Sequence, residues 1–146
     1  MIGLPDVNVL VALAWPNHIH HERARAWFEA NHRRGWATCP VTESGFVRVS
    51  SNRKVIPEAR RPGEAILLLR EMTSLPGHVF WLDNTSIARS RWVAVERLVG
   101  HGQVTDAHIA ALCPERKGRL VTFDEGIADV LPPGVEASAV LAVLRS

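Results

Sequence analysis

The sequence of 146 residues predicts an α/β protein, built as a three-layer α/β/α sandwich with a central, mostly parallel sheet. Short apolar segments typical of strands alternate along the chain with longer segments in which apolar residues recur at helical spacing. Such alternation favours parallel strands with helices on both faces of the sheet. The content of 47% hydrophobic and 22% charged residues is that of an ordinary globular protein, so residues 1–146 are predicted to form a single domain.

Element boundaries in the first half of the chain coincide with residues that start or stop helices. Pro16 stops the first helix, Gly35 ends the second, and Pro40 opens the third, whose apolar stripe includes Phe46 and Val49. The predicted elements are a strand over 2–5, a helix over 9–14, an amphipathic helix over 18–34, a strand over 36–39, a helix from residue 40 and, after a polar loop over 52–63, a helix over 63–75.

The second half repeats this alternation, and its clearest strand is "RLVTF" at residues 119–123. The stretch "QVTDAHIAAL" begins a helix that Pro114 limits. The remaining predicted elements are a strand over 78–83, a mostly helical segment over 85–99, a short helix over 124–130 and a last strand over 135–140.

Four acidic residues stand at junctions that lead into helices: Asp6, Glu43, Asp106 and Asp124. In a parallel sheet the carboxyl ends of strands share one edge, where ligands bind, so these four side chains could point into one pocket. Each acid taken alone is better explained as a helix cap than as a ligand, because helix starts stabilise negative charge by about 0.3–1 kcal/mol. Their joint placement favours a shared site, whereas Asp83 and Asp129 are interpreted as surface residues and His108 as a solvated helix residue.

Several carboxylates in one pocket repel each other unless a cation compensates for them. An oxygen-only ligand set favours Mg²⁺ or Mn²⁺ over Zn²⁺. Asn8, Thr105 and Thr122 stand beside the acids and are candidate hydrogen-bond partners that orient the carboxylates. Such a site can activate a water and stabilise the charge that develops on a phosphodiester during its hydrolysis.

The chain resembles a known family, the PIN-domain VapC toxins, and most closely their mycobacterial-type members. The segments that carry the resemblance follow the family's order over essentially the whole chain: "DVNVLVALAWPNHIHH", "WATCPVTESGFVRVSSN", "PGHVFW", "VGHGQVTDAHIAAL" and "GRLVTFDEGIA". The resemblance implies a Mg²⁺- or Mn²⁺-dependent endoribonuclease that cleaves structured RNA, with Asp6, Glu43, Asp106 and Asp124 as catalytic metal ligands. It also implies a homodimer that a cognate VapB-type antitoxin inhibits.

A basic segment follows Glu43 and contains the candidate RNA-binding residues Arg48, Arg53 and Lys54. A solvated loop explains these charges about equally well. The histidines of "NHIHH" at residues 17–21 do not form a metal-binding pattern, because adjacent histidines leave a helix on different faces and no cysteine completes the set. Their role stays open.

The sequence is also consistent with two other functions. One is a PIN nuclease in RNA processing rather than a toxin, and the other is a non-catalytic RNA-binding or interaction domain whose acids serve only as caps. Cys39 and Cys113 are too few for a disulfide framework and are predicted to be buried and reduced. With no apolar run long enough for a membrane span and no basic leader segment, the protein is expected in the cytoplasm.

Overall fold

The computed structural model describes residues 1–145 and centres on five parallel strands. These are β1 (Gly3–Pro5), β2 (Trp36–Thr38), β3 (His78–Phe80), β4 (Arg119–Thr122) and β5 (Leu141–Val143). Their order across the sheet is β3-β2-β1-β4-β5, and Pro5 pairs with Val121 at the end of β1. This order places β1 in the middle, so that Asp6 emerges at the centre of the carboxyl edge.

Helices cover both faces of this sheet, which confirms the predicted three-layer fold. They are α1 (Val7–Ala14), α2 (His21–Asn31), α3 (Pro40–Ser50), α4 (Pro62–Thr73), α5 (Val104–Glu115) and α6 (Ala137–Val140). Trp36 packs into the apolar cluster of α1 to α4, whereas the next residue, Ala37, packs into the cluster of α5 on the other face. Both cysteines are buried and free, as predicted. Across residues 1–145, none of the helices has the length and apolar character that crossing a bilayer requires.

Three predicted elements differ from the structure. The segment 85–99 forms turns and one short 3₁₀ helix (Val95–Arg97), because it buries little more than Val93 and Ala94 while Val95 stays 76% exposed. The predicted helix over 18–34 begins only at His21, and its last three residues form a 3₁₀ turn.

The third difference lies near the C-terminus. The predicted last strand over 135–140 is instead the short helix α6, and the strand starts at Leu141, which pairs with Leu120. The segment "ASAVLAVL" is apolar throughout, so its hydrophobic pattern does not separate a short helix from a buried strand.

Close packing of α1 against α3 depends on Gly45. A methyl group at this position would lie 2.4 Å from Cγ2 of Val7, the first residue of α1. The absence of a side chain at Gly45 therefore sets the distance between the helices that follow Asp6 and carry Glu43.

We predict that Gly45→Ala lowers the free energy of unfolding by about 1–3 kcal/mol, because the added methyl group overpacks the α1–α3 contact. Gly63→Ala is the matched control, since a methyl group at Gly63 in the first turn of α4 meets open space. Urea unfolding of both variants measures the difference. Equal stability of the Gly45→Ala variant and the native protein would contradict this packing account.

Candidate active site

The Asp6 carboxylate lies at the end of β1, 6% exposed, and caps α1. The Val9 N–H donates to its Oδ1 at 3.0 Å, and the Thr122 hydroxyl donates to its Oδ2. Burial raises the pKa of Asp6 to about 6, and the nearby charge of Asp106 adds to this shift, while the bonds from Thr122 and Val9 oppose it. Asp6 therefore both caps α1 and lies close to another carboxylate.

Asp106 and Asp124 complete a row of three aspartates. Asp106 is half-buried in the first turn of α5, and its pKa is raised by burial and by the charge of Asp124. Within residues 1–145 no hydrogen bond engages its carboxylate. Asp124 is exposed, and its Oδ1 accepts from the Gly126 N–H at 2.8 Å, while its own N–H donates to Thr122 Oγ1 at 3.0 Å. Asp106 thus lies within electrostatic range of the other two.

Glu43, the fourth acid, is held at the end of β2. The buried hydroxyl of Thr38 donates to Glu43 Oε2 at 2.6 Å, and the same hydroxyl lies 2.8 Å from His78 Nε2. Burial lowers the pKa of His78, although the charge of Glu43 opposes this shift, so His78 is neutral and can donate from Nε2 to Thr38. The charge of Asp106 therefore acts on Asp6 and that of Asp124 acts on Asp106, whereas Glu43 is held by Thr38 at the end of β2.

The three residues predicted to orient the carboxylates differ in the hydrogen bonds they make to the acids. Thr122 donates to Asp6 and also accepts from the backbone of Asp124. The Asn8 side chain is exposed, and its contribution to Asp6 comes from the backbone N–H. Thr105 is exposed and makes no side-chain hydrogen bond to an acid in the part of the chain that the structure describes.

A cavity of about 460 Å³ opens where α1, α3 and α5 begin, beside the aspartates. Its lining includes Arg48 and Thr105, together with Val7, Pro40, Val41, Ser44 and Gly45. Arg53 and Lys54 lie in the exposed turn after α3 and do not line it. Of the candidate RNA-binding residues, Arg48 is therefore the one placed at this cavity.

Two features near the site were missed from the sequence. The prediction that Asp83 is a surface residue is wrong, because its side chain is only 9% exposed and its Oδ2 lies 2.8 Å from Nε2 of His108, itself half-buried rather than solvated. The sequence also gave no indication that Thr38 contacts both Glu43 and His78, since His78 follows Thr38 by forty residues. Asp129 is exposed, as predicted.

We predict that Asp6→Asn stabilises the metal-free protein at about pH 8 by about 1–3 kcal/mol. The folded-state pKa of Asp6, about 6, lies above its ordinary value of 3.8, so the native protein loses stability as the pH rises between these values. The Asp6→Asn variant should lack this loss. Urea unfolding in EDTA on both sides of this window measures it, with Asp129→Asn as an exposed control. A variant less stable than the native protein at the higher pH would contradict the assignment.

Comparison with known proteins places this chain in a family. The PIN-domain family model matches residues 4–130. Ribonuclease VapC39 of Mycobacterium tuberculosis is 47% identical over 135 residues, which cover 92% of this chain and 97% of VapC39. Ribonuclease VapC38 of the same organism is 51% identical over 126 residues, covering 86% of this chain and 87% of VapC38.

A solved structure shares the fold at low sequence identity. The crystal structure of M. tuberculosis VapC20, a Sarcin-Ricin loop cleaving toxin, superposes with a TM-score of 0.59 at 11% identity. The match covers 89% of this chain and 99% of the VapC20 chain. The matched family model and the relatives of nearly equal length lead to one conclusion: the chain belongs to the VapC family of PIN-domain proteins.

Proposed function

We propose that this protein is a ribonuclease toxin that hydrolyses RNA phosphodiester bonds with Mg²⁺ or Mn²⁺ at Asp6, Asp106 and Asp124. The observation that supports it most is the row of aspartates from separate elements, two of them with a raised pKa, next to an open cavity. Membership of a family whose named relatives are ribonucleases supports the same reaction.

The donor set fits a hard divalent cation in its chemistry. All the candidate donors are carboxylate oxygens, and the raised pKa values show that negative charge at Asp6 and Asp106 is unfavourable without compensation. Throughout residues 1–145, no three acidic, histidine or cysteine side chains approach closely enough to surround one ion. Binding therefore requires a change of side-chain position, for which the unengaged carboxylate of Asp106 is best suited. When bound, the cation would supply Lewis-acid stabilisation of charge on the phosphodiester and on the attacking water.

The protein's own residues position the reaction in three ways. Thr122 donates to the Asp6 carboxylate and accepts from the Asp124 backbone N–H, so it links the two segments that carry these acids. Arg48 at the cavity can hold an RNA phosphate beside the aspartates. Glu43 is held on Thr38 through Oε2, while its Oε1 accepts no hydrogen bond from the described residues and stays available to the site.

The finer points of the proposal concern partners and substrate. As a VapC-family toxin, the protein is expected to act in the cytoplasm as a homodimer and to be inhibited by a VapB-type antitoxin. A folded RNA is the proposed substrate, since the structurally similar VapC20 is described as cleaving the Sarcin-Ricin loop. The 15 arginines among the 17 basic residues suit contacts to RNA phosphates.

A non-catalytic function has one observation in its favour. Asp6 and Asp124 each accept a backbone N–H at a helix start, as pure capping residues would. Asp106 distinguishes the two functions, because its carboxylate caps nothing among the described residues and is nevertheless half-buried close to other acids. Its substitution therefore tests catalysis with little effect on the fold.

We predict that Asp106→Asn lowers Mn²⁺-dependent cleavage of total RNA by at least about a hundredfold, because it removes a ligand charge that the reaction needs. The melting temperature of the metal-free variant should be equal to or above that of the native protein, since a half-buried charge is lost. Asp129→Asn, the same change at an exposed acid, should keep full activity. Full activity of the Asp106→Asn variant with metal present would contradict the proposed site.

We also predict that expression of the protein alone arrests bacterial growth and that co-expression of the neighbouring small antitoxin gene restores it. The Asp106→Asn variant should not arrest growth, which ties the arrest to cleavage. Normal growth with the active protein present would instead favour a PIN nuclease in RNA processing.

A further inference from the structure

The histidine-rich turn before α2 contacts the end of β4, far away in the sequence. The rings of His20 and Phe123 lie with centroids 4.7 Å apart and planes tilted by 42°. The guanidinium carbon of Arg23 lies 4.9 Å from the centroid of the same phenyl ring. These three residues form what we call the His–Arg–Phe surface. All three are half-buried, so each remains partly accessible to solvent.

Arg23 is fixed in place without an acidic partner. Its Nη1 donates to the Leu144 carbonyl at 2.7 Å, and its Nη2 lies against the ring nitrogens of His20. These contacts use two of the five N–H groups of the guanidinium. No acidic side chain among residues 1–145 pairs with it, whereas Arg25 on the same helix pairs with Glu22 and Glu29. A fixed guanidinium with three further donors is suited to an anion from outside the chain.

The surface adjoins the aspartates on the side opposite Arg48. Phe123 stands between Thr122, which holds Asp6, and Asp124. The Leu144 N–H donates to the Thr122 carbonyl at 2.7 Å and fixes this end of β4 against β5. Because the sheet order is β2-β1-β4-β5, the cavity with Arg48 lies over the β2 side of Asp6 and the His–Arg–Phe surface over the β5 side. An RNA strand crossing the aspartates would meet both.

The chemistry of the surface matches an unpaired nucleotide. Aromatic rings offer a face on which any base can stack, and a neighbouring guanidinium adds cation–π and phosphate contacts. Packing alone does not require an arginine here, since Phe123 already contacts the apolar cluster between α1, α2 and β4. The Arg23 guanidinium bonds to the Leu144 carbonyl, but no acidic side chain among residues 1–145 neutralises its charge.

We propose that the His–Arg–Phe surface binds one unpaired nucleotide of the RNA on the β5 side of the cleaved bond. Phe123 and His20 stack on its base, and Arg23 binds its phosphate. This inference rests on the proposed function, because it assumes that RNA is bound across the three aspartates.

The test measures RNA binding without cleavage, in the Asp106→Asn background. Fluorescence anisotropy with a labelled, unpaired RNA oligonucleotide in Mg²⁺ gives the dissociation constant. Arg23→Gln and Phe123→Leu should each weaken binding by about tenfold. Arg25→Gln removes the same charge from the same helix and should change binding by less than about twofold. Arg23→Gln should also reduce the slope of log affinity against log salt by about 0.7, whereas Phe123→Leu should leave the slope unchanged.

The outcomes separate the surface from the catalytic proposal. If a folded Arg23→Gln protein keeps the native RNA affinity and salt slope, the proposal that the His–Arg–Phe surface binds RNA is wrong. This holds even if the variant binds a protein partner less well. If Phe123→Leu does not fold, Phe123→Trp replaces it. This variant should bind at least as tightly as its parent, and weaker binding would count against stacking. The protein with native Asp106 could fail to cut RNA with Mn²⁺ while Arg23→Gln still lowers RNA affinity. That result would contradict the proposed hydrolysis but support RNA binding at the His–Arg–Phe surface.

Discussion

The Asp6 carboxylate is buried at the carboxyl end of the central strand, and it depends on donors from two neighbouring elements. Val9 supplies a backbone N–H from the first turn of α1, and Thr122 supplies a hydroxyl from the end of β4. The pairing of Pro5 with Val121 brings Thr122 beside Asp6. Since that hydroxyl also accepts from the Asp124 N–H, one threonine fixes two of the three aspartates.

This arrangement has a cost to the metal-free protein. Burial raises the pKa of both Asp6 and Asp106, so ionisation of these residues is less favourable in the folded state than in the unfolded chain. Nothing in the fold requires Asp106 to be acidic, because its carboxylate bonds to no other described residue. Such destabilisation is expected where side chains are arranged for a ligand rather than for stability. Binding of a divalent cation would make ionisation of these aspartates favourable in the folded state.

The parts of the site that follow from topology could be predicted from the sequence. Parallel strands end at one edge, so acids that follow apolar strand-like segments, as Asp6 and Asp124 do, must lie near each other. The partner of Glu43 could not be predicted, because Thr38 and His78 meet only through the pairing of β2 with β3. For the same reason, the histidine-rich turn gave no sign of its contact with Phe123.

The hydrophobic pattern gave a wrong prediction of secondary structure where apolar residues are not buried. The segment 85–99 contains enough apolar residues to predict a helix, yet Val95 and Val99 are among the most exposed large hydrophobic residues that the structure describes. Asp83 shows the opposite error, because it was predicted to be exposed and is largely buried. A polar loop gives no indication that His108 will cover its carboxylate. Both cases depend on tertiary packing, which a hydrophobic pattern does not encode.

The central claim is that Asp6, Asp106 and Asp124 together hold a divalent cation. Anomalous scattering from a crystal of the protein soaked in Mn²⁺ tests this directly. We expect a manganese peak bound by oxygens of these three aspartates, with Thr122 still donating to Asp6. A protein without bound manganese, or one whose manganese lies at the histidines of the turn before α2, would contradict it.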